Sequence, residues 1–457
     1  MRQRWTSSGA LGPGVSAAAL TLMSAPVWAQ PVVEVETGGA LEEFESTPQT
    51  LPGREKGPRQ RPTPAQPEPA VRPAVPGVFH RDRLTGDLFG TRRWLEEHGV
   101  TIEAGALWDL SAPLSGGVRR RLNSQSIFDV NAAFDFDTLF GWPGASVFVD
   151  VQSHTGRPGA QDVGDIQIFN NADAPNFFEL YELWFEQVFA HDRARLKIGK
   201  VDANSEFAFV EHGGEFLNSS MGFSPTILAF PTYPDPAFSA ILFVYPTEAL
   251  YIGIGVFDGS TQEGVATGPR GFRTFTDDSD QVFIVGEVGA TYSLSGGALP
   301  GRVGVGVWTH TADFARFDGA VDSGGAGFYV VVDQQVWSEN PGDPDDDQGV
   351  GAFFQYGWAN ENISPIVHHI GAGAAWMGLV PGRDDDVLGL GVSAVVLSDE
   401  PGAGFSDHTE IVLESFYAVR LTPAVSVKPD LQIILNPSGD PTASDAIVGA
   451  LRLEIVF

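Results

Sequence analysis

Glu182 and Glu186 lie four residues apart, and Arg193, Arg195 and Lys197 alternate a short way downstream. If both stretches are extended, residues of like parity share a face, so two carboxylates would stand beside a row of three cations. Set across a cavity, such rows orient dipolar solutes, and carboxylate and guanidinium groups can replace the hydration of a hydroxyl-rich ligand. The plainer reading is a set of ion pairs that stabilise a wall. Paired acids about 5–10 Å apart also serve glycosidases. No pocket-forming domain accompanies this pair, so that chemistry is not expected.

A polar and aromatic run follows at once. Residues 201–237 are too many for a turn, and Asp202, Asn204, Glu206, Glu211, His212, Glu215 and Asn218 interleave with Phe207, Phe209, Phe216 and Phe223. The expectation is a segment folded into an interior, where ring faces carry a solute and acids and amides take its polar groups. The alternative is an external loop.

Other constellations carry less. Asp343, Asp345 and Asp347 hint at a calcium loop, but the sixth and twelfth positions would be Gln348 and Phe354 instead of glycine and a carboxylate. His368 and His369 fall on opposite faces of a strand and do not converge on a metal. Gly253-Ile-Gly255 and Gly371-Ala-Gly373 lack the strand-to-helix setting of a dinucleotide site, and strand glycines in a curved sheet explain them. No nucleophile elbow or phosphate loop is present. The reading is no catalytic residue, no metal and no cofactor.

The elements that must position these residues are strands. The chain ends in Ile447-Val-Gly-Ala-Leu-Arg-Leu-Glu-Ile-Val-Phe457, which sets Ile447, Leu451, Leu453, Ile455 and Phe457 on one face and Arg452 and Glu454 on the other. A tilted strand of about 9–11 residues crosses a bilayer. In 425–433, Ser426, Lys428, Asp430 and Gln432 alternate with Val425, Val427, Leu431 and Ile433. Strand-like segments recur at about 101–110, 125–137, 145–153, 177–188, 193–200, 238–246, 249–257, 281–293, 302–310, 326–337, 349–358, 367–377, 387–397, 408–420, 424–434 and 447–457. Sixteen is an even number suited to an antiparallel transmembrane β-barrel. Short turns such as 246–248 and 421–423 alternate with longer connections at 154–176, 258–280, 311–325 and 338–348.

A lipid-facing Arg or Lys at the midplane costs about 2–4 kcal/mol, so the charged faces are expected to point into a wet lumen. Trp308, Trp337, Trp358 and Trp376, near strand ends, are expected in interfacial girdles, with pore stacking as the alternative.

Composition agrees. With 58 acidic against 27 basic residues and a net charge of −31, the chain is unsuited to nucleic acid. The absence of cysteine excludes disulfides and thiolate chemistry. Residues 1–29 read as a signal peptide, with Arg2 and Arg4, an apolar stretch from Val15 to Met23, and a cleavage site at Val27-Trp28-Ala29. Residues 30–79, with nine prolines from Pro48 to Pro76, read as an extended linker. The barrel domain spans 80–457 and opens with a short helix at 85–99, capped by Asp87 and ended by Gly99.

An ordered set of motifs then resembles the carbohydrate-selective porins of the outer membrane, the OprB-like family. It runs from Leu84-Thr-Gly-Asp87 with Arg92 and Leu95, through Glu179-Leu-Tyr-Glu-Leu-Trp-Phe185 and Leu196-Lys-Ile-Gly-Lys-Val-Asp-Ala-Asn204, to Phe216-Leu-Asn-Ser-Ser220. It closes with Glu410-Ile-Val-Leu-Glu414, Tyr417, Arg420-Leu-Thr-Pro423, Val427-Lys-Pro-Asp-Leu-Gln432 and Asn436-Pro437, covering about 84–457. The resemblance implies a sixteen-stranded all-β barrel, passive diffusion of small sugars such as glucose, and no catalysis. On that reading Glu182, Glu186, Arg193, Arg195, Lys197, Asp202, Asn204, Glu206, Lys428, Asp430, Arg452 and Glu454 line the pore, and ring faces in 201–237 carry pyranoses.

Outer-membrane lipid and lipopolysaccharide would surround the barrel. The barrel-assembly machinery would read the terminal Phe457, and the family admits a homotrimer. Two other classes stay in view: a barrel enzyme of the esterase or lipase type, for which no motif speaks, and a structural or adhesive surface barrel.

Overall fold

The computed structural model describes residues 81–275, 280–297, 299–341 and 347–457. The signal peptide, the linker, Asp343 and Asp345 lie outside the described residues.

Sixteen antiparallel strands close into one barrel. The first eight are β1 (Val100–Gly117), β2 (Asn123–Asp135), β3 (Ala145–Gly156), β4 (Phe177–Phe189), β5 (Ala194–Val201), β6 (Ala237–Thr247), β7 (Leu250–Asp258) and β8 (Val282–Leu294). The second eight are β9 (Leu299–Ala315), β10 (Val321–Ser338), β11 (Gly349–Ala359), β12 (Ile366–Met377), β13 (Val387–Leu397), β14 (Thr409–Thr422), β15 (Val425–Leu435) and β16 (Ser444–Val456). Every strand pairs with its neighbour in sequence, and β1 pairs with β16 to close the ring, Asp109 opposite Arg452. Closure leaves no unpaired edge, which a lipid interior would penalise.

Period-two alternation decides what faces where. On the outer surface stand exposed apolar side chains such as Ile252, Ile254, Val305, Val307, Leu413, Leu431, Ile447 and Leu451. The inner face carries Asp109, Asp129, Asp150, Glu182, Lys197, Glu287, Arg302, Glu414, Lys428 and Arg452, all buried. The inner face is also aromatic, and its glycines make room for the rings. A Cβ on Gly389 would stand 2.0 Å from the ring of Phe416, and one on Gly306 would stand 2.0 Å from that of Tyr329. Both glycines are the direct cross-strand partners of those rings. The inner glycines are seats for neighbouring aromatics, which sharpens the curvature reading.

One rim gathers the connections 136–144, 190–193, 248–249, 295–298, 339–348, 378–386 and 423–424. The other carries the three longest, 157–176, 202–236 and 259–281. Short turns face the periplasm and long loops the exterior in barrels of this kind. Two expected long connections are corrected. Residues 311–325 are mostly strand, because β9 and β10 run on to a connection of 316–320, and 338–348 lies on the short-turn rim.

The N-terminal helix is shorter than expected. Its α-helical part, α1, spans Thr91–Glu97, behind a 3-10 turn at Leu88–Gly90. Gly90, with φ of 90°, takes the N-cap, while the Asp87 carboxylate accepts the N–H of Arg93 at 3.0 Å. The segment is tied to the short-turn rim through Leu84 N–H to Val456 O at 2.8 Å and through Arg92 to Phe457 O at 3.1 Å. Leu88 and Trp94 are exposed and form no buried face.

Candidate functional site: a lumen crossed by two tethered segments

The segments 157–176 and 202–236 fold inward and pack on the barrel wall. Phe207, Val210, Phe216 and Met221 are buried in one cluster with Phe243, Phe257, Phe283, Tyr329, Phe353 and Phe416 from the inner face. Phe207 stacks on Phe243 at 5.2 Å, and Phe216 meets Phe353 and Phe416 edge-on at 5.6 and 5.0 Å. The expectation of a wholly wet lumen is thereby corrected: part of it is a packed core. Phe207 and Phe216 are spent on this packing and the Phe209 ring lies 4.0 Å from the Arg302 guanidinium, while Phe223 stays half-buried.

Wall carboxylates hold the segments by their backbone. Glu410 accepts the N–H groups of Ile166 and Gln167 at 3.0 and 3.1 Å. Glu414 accepts those of Leu217 and Asn218 at 2.6 and 3.1 Å. Glu287 takes Ala208 N–H at 3.1 Å, and Asp333 takes His212 N–H at 3.2 Å. A segment folded away from water must satisfy its N–H groups, and a carboxyl group offers two acceptor oxygens for them. The inner acids are therefore built into the positioning of the inward segments.

The cation and acid rows meet here at contact distance. Arg195 donates to Glu186 at 2.9 Å and to both oxygens of Glu206, at 3.1 and 2.5 Å. Lys197 reaches Glu206 at 2.5 Å and Glu186 at 3.7 Å, and lies 3.8 Å from the Trp184 ring centre. The groups neutralise each other, as in the ion-pair reading, so no transverse field is set up by this cluster. Burial alone would raise the Glu206 carboxyl, but the charges of Arg195 and Lys197 override it and hold the group down at about 2.

The other expected site residues divide as follows. Glu182 accepts Asp202 N–H at 2.8 Å, and Asp202 accepts from Tyr181 Oη at 2.5 Å and from Asn204 N–H at 2.9 Å. Asn204 donates to Phe207 O at 3.0 Å. Lys428 donates to Glu215 Oε2 at 3.1 Å, and Asp430 accepts from Gln432 at 3.2 Å. Arg452 forms a two-point bond to Asp109 at 2.9 and 2.8 Å and reaches Asn170 and Asn171 at 3.0 and 2.8 Å. Glu454, partly exposed, accepts from Ser426 at 2.9 Å. Arg452 is thus enclosed by wall and segment, not bathed by an open channel.

Arg193 is not on the inner face at all. It sits exposed in the turn before β5, whose first residue is Ala194. Alternation stops counting where the strand stops.

Sequence reasoning missed Glu287, Arg302, Asp333 and Asp109 as tethers. Arg302 binds Glu287 at 2.7 Å, Tyr251 Oη at 2.9 Å and Phe209 O at 3.0 Å. Glu287, Arg302 and Asp333 are each a lone charge on the inner parity of a strand, and Asp109 shares that parity of β1 with Glu103, so the alternation could have found them. Trp308 is likewise misplaced by a girdle reading: it is buried inside, stacked on Phe283 at 6.2 Å. Trp337 and Trp376 do lie outside, paired at 5.9 Å beside the short-turn rim.

A closed sixteen-strand barrel with inward-folded segments fixes the architecture, and the comparison of sequences decides the family. The model of the carbohydrate-selective porin OprB family matches residues 119–457. The chain belongs to the OprB family of carbohydrate-selective porins. It is 22% identical over 429 residues to a putative porin, QuiX, of Acinetobacter baylyi, covering 82% of this chain and 93% of that one. It is 21% identical over 421 residues to Porin B of Pseudomonas aeruginosa, covering 82% and 91%. The high-pH structure of Pseudomonas putida OprB superposes with a TM-score of 0.75 at 20% identity, covering 83% of this chain and 99% of that one. This OprB-family chain is therefore an outer-membrane porin, a multi-strand barrel whose relatives are channels.

Proposed function

We propose that this porin passes small sugars of the glucose type by passive diffusion past a constriction made by 157–176 and 202–236. The observation that carries the reading is the double tethering of both segments inside the barrel by Glu410 and Glu414. Segments held in this way narrow the lumen at fixed positions, so solute size and hydrogen bonding decide passage. Half-buried side chains on the longer segment include His212, Phe223, Tyr233 and Glu211, together with Glu215, whose carboxylate is bound by Lys428. Acid and imidazole groups take hydroxyls, and a ring edge accepts the apolar side of a pyranose.

Binding must stay weak for release, and diffusion down a gradient requires no cofactor. Glu182, Glu186, Arg195, Lys197, Asp202, Asn204, Glu206, Lys428, Asp430 and Arg452 shape this constriction from behind, through the segments they hold. The same proposal includes a homotrimer as the assembled form and recognition of Phe457 by the barrel-assembly machinery.

Swelling of liposomes carrying the folded protein, with sugars of increasing size, tests the reading. Glucose should enter fast and a trisaccharide slowly. Equal rates for both sugars, or no permeation, would sink it.

A further inference from the structure

The β1–β2 connection, 118–122, reads Val118-Arg119-Arg120-Arg121-Leu122 and lies on the long-loop rim. All three arginines are exposed, and among the described residues none has a carboxylate within ion-pair distance. In a chain of net charge −31, an unpaired triplet of cations is a conspicuous concentration. The backbone beneath it is fixed: Val118 and Arg119 donate their N–H groups to Asp162 O at 3.0 and 2.8 Å. Asp162 is itself held by Arg157.

The setting is amphiphilic. Val118 and Leu122 are 58% and 68% exposed on either side of the arginines. Leu114, four residues before Val118, is exposed on the lipid-facing parity of β1, and Trp108 is exposed on the same parity further down the strand. The cations thus follow Leu114, the last exposed apolar residue of that column, on the long-loop rim.

We infer that Arg119, Arg120 and Arg121 bind the phosphate groups of an anionic lipid in the outer leaflet, with Leu122 against its acyl chains, while Val118 rests on Gly164 of the segment below. Guanidinium groups pair with phosphate through two parallel bonds, and a flanking apolar residue selects a lipid-borne phosphate over a free one. Juxtamembrane cations each add about fivefold to binding of an anionic surface, so three together are worth on the order of 100-fold.

The test uses the full folded barrel and the triple variants R119Q/R120Q/R121Q and R119K/R120K/R121K. Each is exposed to phosphatidylcholine vesicles with or without bis-phosphorylated lipid A, then washed and weighed by native mass spectrometry. The wild type should keep lipid A at least tenfold better than the Gln variant, with the Lys variant in between and thermal unfolding unchanged. Free phosphate at tens of millimolar should not displace the lipid. Equal retention by the wild type and the Gln variant would overturn the inference. So would elution by phosphate alone, or a Gln variant that changes only ion selectivity or oligomeric state.

Discussion

Glu410 and Glu414 stand four residues apart on the inner face of β14, and each anchors a different inward segment by a pair of backbone N–H groups. One strand therefore fixes both elements that cross the lumen. The segments also bond to each other, Asn171 N–H to Leu217 O at 2.7 Å and Ser219 N–H to Ile168 O at 3.0 Å, so loosening either acid should act first on its own segment.

Glu414→Ala leaves the buried N–H groups of Leu217 and Asn218 without their acceptor, a loss of about 1–3 kcal/mol for each donor left unsatisfied. Single-channel recordings should show higher and noisier conductance. Glu410→Ala should alter the shorter segment instead, read as a change at Gln167 in hydrogen exchange. Identical traces for wild type and Glu414→Ala would mean that packing alone holds the longer segment.

Arg195→Ala and Arg193→Ala should part company. The first removes a buried partner of Glu206 and Glu186 and should cost about 3–5 kcal/mol, as breaking a buried pair does. The second removes an exposed turn side chain and should stay within about 0.5 kcal/mol of wild type. Denaturant unfolding in detergent measures both, and comparable losses would contradict the placement of Arg193.

The Glu206 tether also predicts a pH response. Its carboxyl is held down at about 2 in the folded state, below an ordinary carboxyl, so the ion pairs stabilise fully above the usual carboxyl range. That stability is lost as pH falls through roughly 4 to 2, where the unfolded state takes up protons first. Conductance should be steady from pH 7 to 5 and should rise or flicker below about 4. Glu206→Gln should abolish this acid transition. A transition unchanged in that variant would assign it to other groups.

Phe216→Ala should empty a site framed by Phe353 and Phe416, costing about 3–5 kcal/mol while letting the segment tip move. A lowered melting point with faster sugar entry is expected. Lowered stability with unaltered permeation would separate this ring from the constriction.

Removing Phe457 should reduce insertion more than conductance. Its N–H pairs with Ala104 O at 2.9 Å, and its carbonyl takes Arg92, so the residue helps to close β16 on β1 at the rim. The yield of heat-modifiable barrel reports insertion. A normal yield would count against recognition of the terminal aromatic.

Much of the barrel was legible in the chain because strand alternation is local. Lys428 and Asp430 against Leu431 and Ile433, or Arg452 against Leu451, announce inside and outside within a few residues. Sixteen strands, their order, and the inward parity of Arg195, Lys197, Glu182 and Glu414 follow from that period. Strand ends are less legible, because turn residues extend a pattern that the ladder no longer enforces. Arg193 and the stretch 311–325 were misplaced for that reason.

What only the tertiary structure decided is what the inner charges touch. The partners of Glu410, Glu414, Glu287 and Arg452 lie tens to hundreds of residues away, in segments without periodicity. Their buried N–H and guanidinium groups need acceptors once removed from water, and the wall acids meet that need. Sequence alternation put the carboxylates inside. Closure of the barrel and the infolding of two segments turned them from a lining into anchors.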